Sequence, residues 1–293
     1  EKIIVHLHGL HTHSVNAILL ESNLSKVPLV ITQRGGGSPE IYWKKKMTHI
    51  PQLVIEKFVD SKIDKYILQS NYEYDYYIKS RNSKKYLFLQ DGLDFNVFPK
   101  LSRKESRLKL GLDQDKKYIL YVGRYYKGKG VDILIKNINS MKLQDKNIEL
   151  IFVGGYDTDE LYPLVKEGGF LNISRIPKKE LKWYYSAANI TVMISNEEYI
   201  TKFGGIGNSQ IESLACGTPI YSSQIGHFMG DEKEKAKLGI QYTPNSNMSA
   251  DLSYLLSNDY LETREISKKY YNISNNVDKQ LLIYRELFSD YYE

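Results

Sequence analysis

The run from Phe203 to Ile220, FGGIGNSQIESLACGTPI, has the residue types and spacing of an anion site. Gly204, Gly205 and Gly207 let backbone approach a ligand closely, and Asn208 or Ser209 can cap a helix. Ile211, Leu214 and Ala215 give that helix a buried stripe, and Gly217 with Pro219 ends it. A glycine loop opening a helix offers free N–H groups and the positive end of the helix dipole to a phosphate. Glu212 follows, just off the apolar stripe, where a carboxylate could accept hydrogen bonds from hydroxyls such as a ribose diol. The plainer alternative is a surface Glu on an ordinary helix. A second group is Gly123-Arg124 with Lys129-Gly130, two cations after a strand-like YILYV run. Charge there suits a phosphate or carboxylate.

Two further groups lie nearer the start. His6, His8, His11 and His13 crowd a strand-to-loop junction. No cysteine or carboxylate stands nearby at zinc-site spacing, so one histidine at a strand's C-terminal end is a better candidate than a metal centre. Arg34 with Gly35 ends another strand-like run and could hold an anion bidentately.

These groups need strand ends to carry them. Residues 3–7, 29–32, 64–69 and 85–89 read as strands separated by helices over 14–25 and about 42–62. The stretch 101–115 is charged and reads as a linker. The pattern then restarts, with strands over 118–122, 148–153, 171–175 and 190–194 and helices from Val131, Leu161 and Lys179. This alternation predicts an α/β fold class with two Rossmann-like parallel-sheet domains and a ligand cleft between them. The expected division is 1–100 for the first domain, 101–115 for the linker, 116–275 for the second domain and 276–293 for a last helix that crosses back to the first.

Composition narrows the class. The chain has 293 residues, 42% hydrophobic and 26% charged, enough for packed cores. A net charge of +5 permits an anionic ligand or membrane surface and does not suggest a nucleic-acid groove. The single cysteine, Cys216, allows no internal disulfide and suggests a reducing, cytoplasmic interior. No apolar run approaches the length of a membrane-crossing helix. The basic and aromatic stretch Tyr42–Met47 would suit peripheral contact with anionic lipid headgroups, or simply a solvated helix face.

Taken together, YILYVGRYYKGKGVDILI (118–135) and the 203–220 run resemble the family-4 group of retaining glycosyltransferases, which have the GT-B fold. HLHG (6–9), VPLVIT (27–32), DGLDFNVF (91–98), FVGG (152–155) and SAANITVMISNEE (186–198) support the resemblance in the expected order. It implies a metal-independent enzyme, with no cofactor, that moves a sugar from a nucleotide-sugar donor such as a UDP- or GDP-sugar to a glycan or lipid-linked acceptor with retention. Arg124 and Lys129 would hold the diphosphate, with the helix start at Gly207, Asn208 and Ser209 also meeting the phosphates. Glu212 would bind the ribose, and Arg175 and Ile176 would border the base. His8 would face the transferred sugar, with His11 the second choice, and Arg34 and Gly35 would lie on the acceptor side.

Two departures accompany the resemblance. The family's Glu-Gly-Phe-Gly carboxylate position is Gly204 here, and Glu198 stands at the usual Ser-x-x-Glu spacing after Ser195, so 199–203 reads as an insertion that leaves Glu198 in the role. The family's first strand and glycine-rich loop are absent, so the N-terminal domain reads as truncated. Its short sheet would leave an edge open to a second copy or partner subunit. An epimerase or phosphorylase on the same fold, and a non-catalytic subunit that binds nucleotide or a partner protein, are the alternatives. Asp157-Thr158-Asp159 matches a metal-chelating DxD pattern of another glycosyltransferase fold, but here it reads as a loop and helix cap.

Overall fold

The computed structural model describes residues 3–8, 27–32, 61–69, 74, 83–197, 199–200 and 206–292. The helices expected over 14–25 and most of 42–62, the 33–39 loop and the Tyr42–Met47 stretch lie outside these residues.

Two compact units are present. The first comprises 1–92, 198–205 and 273–293, and the second comprises 93–197 and 206–272. In the first unit β1 (Val5–His8), β2 (Leu29–Thr32), β3 (Lys65–Leu68) and β4 (Tyr86–Phe88) form a sheet in sequence order, with every neighbouring pair parallel. All four residues of β2 are buried, as a central strand covered on both faces requires. The C-terminal helix α9 (Ile273–Tyr292) belongs to this unit. Its Ile283 and Leu287 share an apolar cluster with Val30 and Ile67.

The second unit begins with α1 (Arg103–Leu110) and continues through β5 (Lys117–Val122), α2 (Val131–Gln144), β6 (Ile148–Val153), α3 (Tyr162–Glu167), β7 (Leu171–Ile173), α4 (Leu181–Ala187) and β8 (Ile190–Met193). It closes with α5 (Asn208–Ala215), β9 (Ile220–Ser222), α6 (Glu232–Ala236), β10 (Gly239–Gln241), α7 (Met248–Ser257) and α8 (Thr263–Tyr271). The sheet order is β10-β9-β8-β5-β6-β7, all parallel. β6 and β7 lie on one side of β5, while β8, β9 and β10 lie on the other. The order reverses between β5 and β8, so their C-terminal ends form the topological switch point where open α/β sheets bind ligands.

The helices follow from their stripes. Val131, Leu134, Ile135, Ile138 and Met141 bury one face of α2 against the sheet. The helix can start there because Gly130 adopts φ 65° and lies so close to β8 that an added Cβ would meet Ile194 O at 2.4 Å.

The stretch 101–115 is not a bare linker. Ser102 caps α1 by accepting from the Glu105 N–H at 3.4 Å, and Gly111 ends it in the left-handed region at φ 67°. Arg107 is buried and donates to Ala187 O at 3.0 Å, Gln114 O at 2.6 Å and Asn189 Oδ1 at 2.8 Å. Its charge hid it from a pattern reading, but three acceptors make its burial tolerable.

Candidate functional site

In the second unit the ends of β5 and β6 are level, since their register runs from Lys117 with Ile148 to Val122 with Val153. Beyond them Gly123 N–H donates to Val153 O at 2.9 Å, and Gly154 N–H donates to Ile173 O at 3.0 Å. Three consecutive strand ends are thus stitched into one edge. The chain leaving β5 makes a single 3-10 turn, Lys127–Lys129, and Gly128 O accepts from the Asn196 N–H at 2.9 Å. That bond fastens the Lys-Gly-Lys turn to the exit of β8, across the switch point.

Lys129 returns towards the β5 end. A Cβ on Gly123 would stand 3.4 Å from Lys129 Nζ, so glycine at 123 leaves the ammonium its space. Burial lowers the Lys129 pKa, and the nearby Arg124 charge lowers it further. Arg124 is half exposed and paired with Asp159, at 2.7 Å from Nη2 to Oδ1. Its guanidinium also lies over the Tyr126 and Tyr156 rings, 4.6 and 5.1 Å from their centres. Arg175, just past β7, donates to Tyr156 Oη at 2.9 Å, and Ile176 packs on the apolar core. The structure therefore brings Arg124, Lys129 and Arg175 to one edge of the sheet.

Asp159 does not cap a helix, contrary to the sequence reading. The N-cap of α3 is Leu161. Asp159 is buried, and its Oδ2 accepts from the Tyr125 N–H at 2.8 Å and the Tyr156 N–H at 3.1 Å. Burial pushes its carboxyl pKa up, but those N–H groups and Arg124 outweigh this and hold it below the usual carboxylate range.

The helix start is also built differently. Gly207, not Asn208 or Ser209, is the N-cap of α5, with extended backbone and no side-chain capping bond. Asn208 is the first helical residue, and Ser209 follows it in the first turn. With no side chain serving as cap, the N–H groups of Asn208 and Ser209 keep their affinity for an anion, while the Gln210 N–H donates to Gly207 O at 2.9 Å. Gly204 and Gly205 lie outside the described residues.

Glu212 is buried rather than on the surface. Its Oε2 accepts from the Tyr185 hydroxyl at 2.9 Å, and its Oε1 lies 3.1 Å from Lys178 Nζ. Burial, with Glu212 alongside, pushes the Tyr185 phenol well above its ordinary pKa, so it stays a donor. Lys178 closely follows Arg175 and Ile176, so the β7 exit loop touches both the Tyr156 side and the Glu212 side of the edge. Burial holds the Cys216 thiol at a pKa of about 12, consistent with a packing role.

In the first unit His8 ends β1, exposed, with its ring stacked on His6 at 4.5 Å. His6 is held by Thr32 Oγ1 at 2.8 Å and by Gln280 Nε2 at 3.0 Å, and also contacts Tyr284 Oη. His11, Arg34, Gly35 and Glu198 lie outside the described residues. Among the described residues, no group of three or more His, Cys, Asp or Glu side chains could hold a metal, and no helix is long and apolar enough to cross a membrane.

Three contributors escaped the sequence reading, Tyr156, Lys178 and Tyr185, and a fourth, Asp159, was read there only as a loop and cap residue. The only signal for Lys178 was its place in RIPKKE after a strand. Tyr185 sits in LKWYYSA, which reads as ordinary apolar helix.

An α/β protein with cations gathered at a switch point is the class that fold and site define. Residues 102–274 match the family model described as glycosyl transferases group 1, and the chain belongs to that family. The D-inositol 3-phosphate glycosyltransferase of Thermobifida fusca is 32% identical over 149 residues, which is 46% of this chain and 33% of that protein. The match thus spans about a third of that curated relative's length. Among solved structures, sucrose-phosphate synthase from Thermosynechococcus elongatus superposes with a TM-score of 0.75 at 20% identity, covering 98% of this chain and 74% of that one. Anabaena HepE in complex with UDP-glucose gives 0.71 at 14%, covering 96% and 78%. The fold is of the GT-B type.

Proposed function

We propose that this protein transfers a sugar from a nucleotide-sugar donor to an acceptor, with retention of configuration and without a metal. The observation that carries the reading is the placing of Arg124 and Lys129 at the β5 end of a group 1 glycosyltransferase domain. As the bond from the sugar's anomeric carbon to the diphosphate oxygen breaks and that carbon bonds to the acceptor oxygen, charge develops on the departing nucleoside diphosphate. Arg124, Lys129 and the uncapped α5 start would stabilise that charge, in preorganised positions where such groups act most strongly. Glu212, held by Tyr185 and Lys178, would accept from the ribose hydroxyls. Arg175 and Ile176 would border the base. His8 and Glu198 are assigned to the transferred sugar, and His11, Arg34 and Gly35 to the acceptor side.

The HepE complex with UDP-glucose supports a UDP-sugar as the first donor to try. The acceptor is proposed as a glycan or lipid-linked molecule handled in the cytoplasm at the membrane surface, with +5 net charge as support for the anionic surface. The testing experiment is a thermal-shift screen with UDP, GDP, ADP and their sugar conjugates on wild type and Lys129→Ala. Saturation at a hundred times the dissociation constant adds about 2.7 kcal/mol. A shift with one diphosphate, lost in Lys129→Ala, is the expected result. No shift with any nucleotide would remove the transferase reading.

A further inference from the structure

The Asp-Thr-Asp segment has no place in the function so far, yet Asp159 is the most completely engaged carboxylate at the switch-point edge. Its side chain is fully buried. One oxygen, Oδ2, is fixed by two backbone N–H groups from different loops, Tyr125 after β5 and Tyr156 after β6. The carboxylate therefore cannot rotate without breaking both. The other oxygen, Oδ1, receives two donors from a single side chain: Arg124 Nε at 2.9 Å and Arg124 Nη2 at 2.7 Å.

That contact uses only one edge of the guanidinium. Arginine carries five N–H donors in a rigid planar fork. Nε and the near N–H of Nη2 are taken by Asp159, while Tyr126 and Tyr156 flank the group at 4.6 and 5.1 Å. The remaining edge, formed by Nη1 and the outer N–H of Nη2, matches two oxygens of a phosphate. We infer that Asp159 is a positioning residue, which grips Arg124 by one edge and so presents the other edge to the diphosphate of the donor. This rests on the donor-site reading above. It makes Arg124 a fixed element of the site, one that engages the ligand without first releasing its own carboxylate. A lysine has three donors on one rotatable point charge and no rigid fork, so gripping it would not aim a second contact.

The test is titration calorimetry with UDP, GDP and ADP beside uridine, guanosine and adenosine, comparing the affinity that the diphosphate adds to its nucleoside. Wild type should show a clear gain for one pair. Arg124→Ala and Arg124→Lys should each reduce that gain about tenfold, as loss of a charged hydrogen-bonding partner does. Asp159→Asn should do the same in wild type and should add nothing in the Arg124→Ala background. If Asp159→Asn fails to fold because its NH2 would face the Arg124 guanidinium, Arg124→Lys decides, since it leaves the buried carboxylate paired. A wild-type gain in Arg124→Lys, or a lowered melting temperature with unchanged diphosphate gain in Asp159→Asn, overturns the proposal and reduces Asp159 to a loop tie. A gain that Arg124→Ala lowers but Asp159→Asn does not leaves the donor site standing and removes only Asp159 from it. No gain in wild type removes the donor site and this inference together.

Discussion

Lys129 holds its charge in a half-buried place beside Arg124, and both facts lower its pKa, burial more than the neighbour. The unfolded chain therefore binds the proton more tightly than the folded one. Stability from this group rises with pH between its folded value and the ordinary lysine value, about 10.4. Diphosphate binding needs the charged form, so it should run the other way. Affinity is expected to fall as pH rises, starting below the ordinary lysine range, and Lys129→Arg should abolish the fall because arginine keeps its proton. Nucleotide titrations from pH 7 upward check this. Glu212 gives a second prediction. Glu212→Ala leaves the buried Tyr185 hydroxyl without its acceptor and should cost roughly 2 kcal/mol in urea denaturation. Glu212→Gln should restore most of that stability, yet lose the preference for UDP over its 2′-deoxy form.

Among the elements, α5 depends on a clamp that its own sequence does not contain. Arg264, on α8, donates from Nη2 to Phe95 O at 3.1 Å and from Nη1 to Phe98 O at 2.6 Å and to Ala215 O. It thus joins the 95–98 loop to the C-terminal end of α5, where a cation also complements the helix dipole. Arg264→Met keeps the stem but strands three carbonyls, and a loss of about 3 kcal/mol in chemical denaturation is expected. The periodicity of Ile211, Leu214 and Ala215 made α5 legible. α1 was not, because RKESRLKL is mostly charged and owes its place to Arg107 reaching Ala187, Gln114 and Asn189. The pairings with Ala187 and Asn189 join residues about eighty positions apart, and no local pattern records them.

For the whole molecule, the chain leaves its first unit after residue 92, re-enters it over 198–205 and returns to it finally at 273. α9 then covers the first sheet through Ile283 and Leu287. Leu287→Ala should cost about 2–5 kcal/mol. The loss should appear in hydrogen exchange as faster exchange of β2 and β3, while β5 and β6 keep their protection.

The sequence alone determined the alternation of strands and helices, the two parallel sheets and the family, because buried parallel strands need apolar runs and glycine loops need glycine. It placed Arg124, Lys129 and Arg175 at strand ends for the same reason. Tertiary structure decided which partner each charged group has. It buried Glu212 between Tyr185 and Lys178, made Gly207 the helix cap, and turned Asp159 from an expected cap into the counter-ion of Arg124. Apolar burial is set by local periodicity, which a sequence displays. The partner of a buried charge is set by which loops meet in space, which only the folded chain fixes.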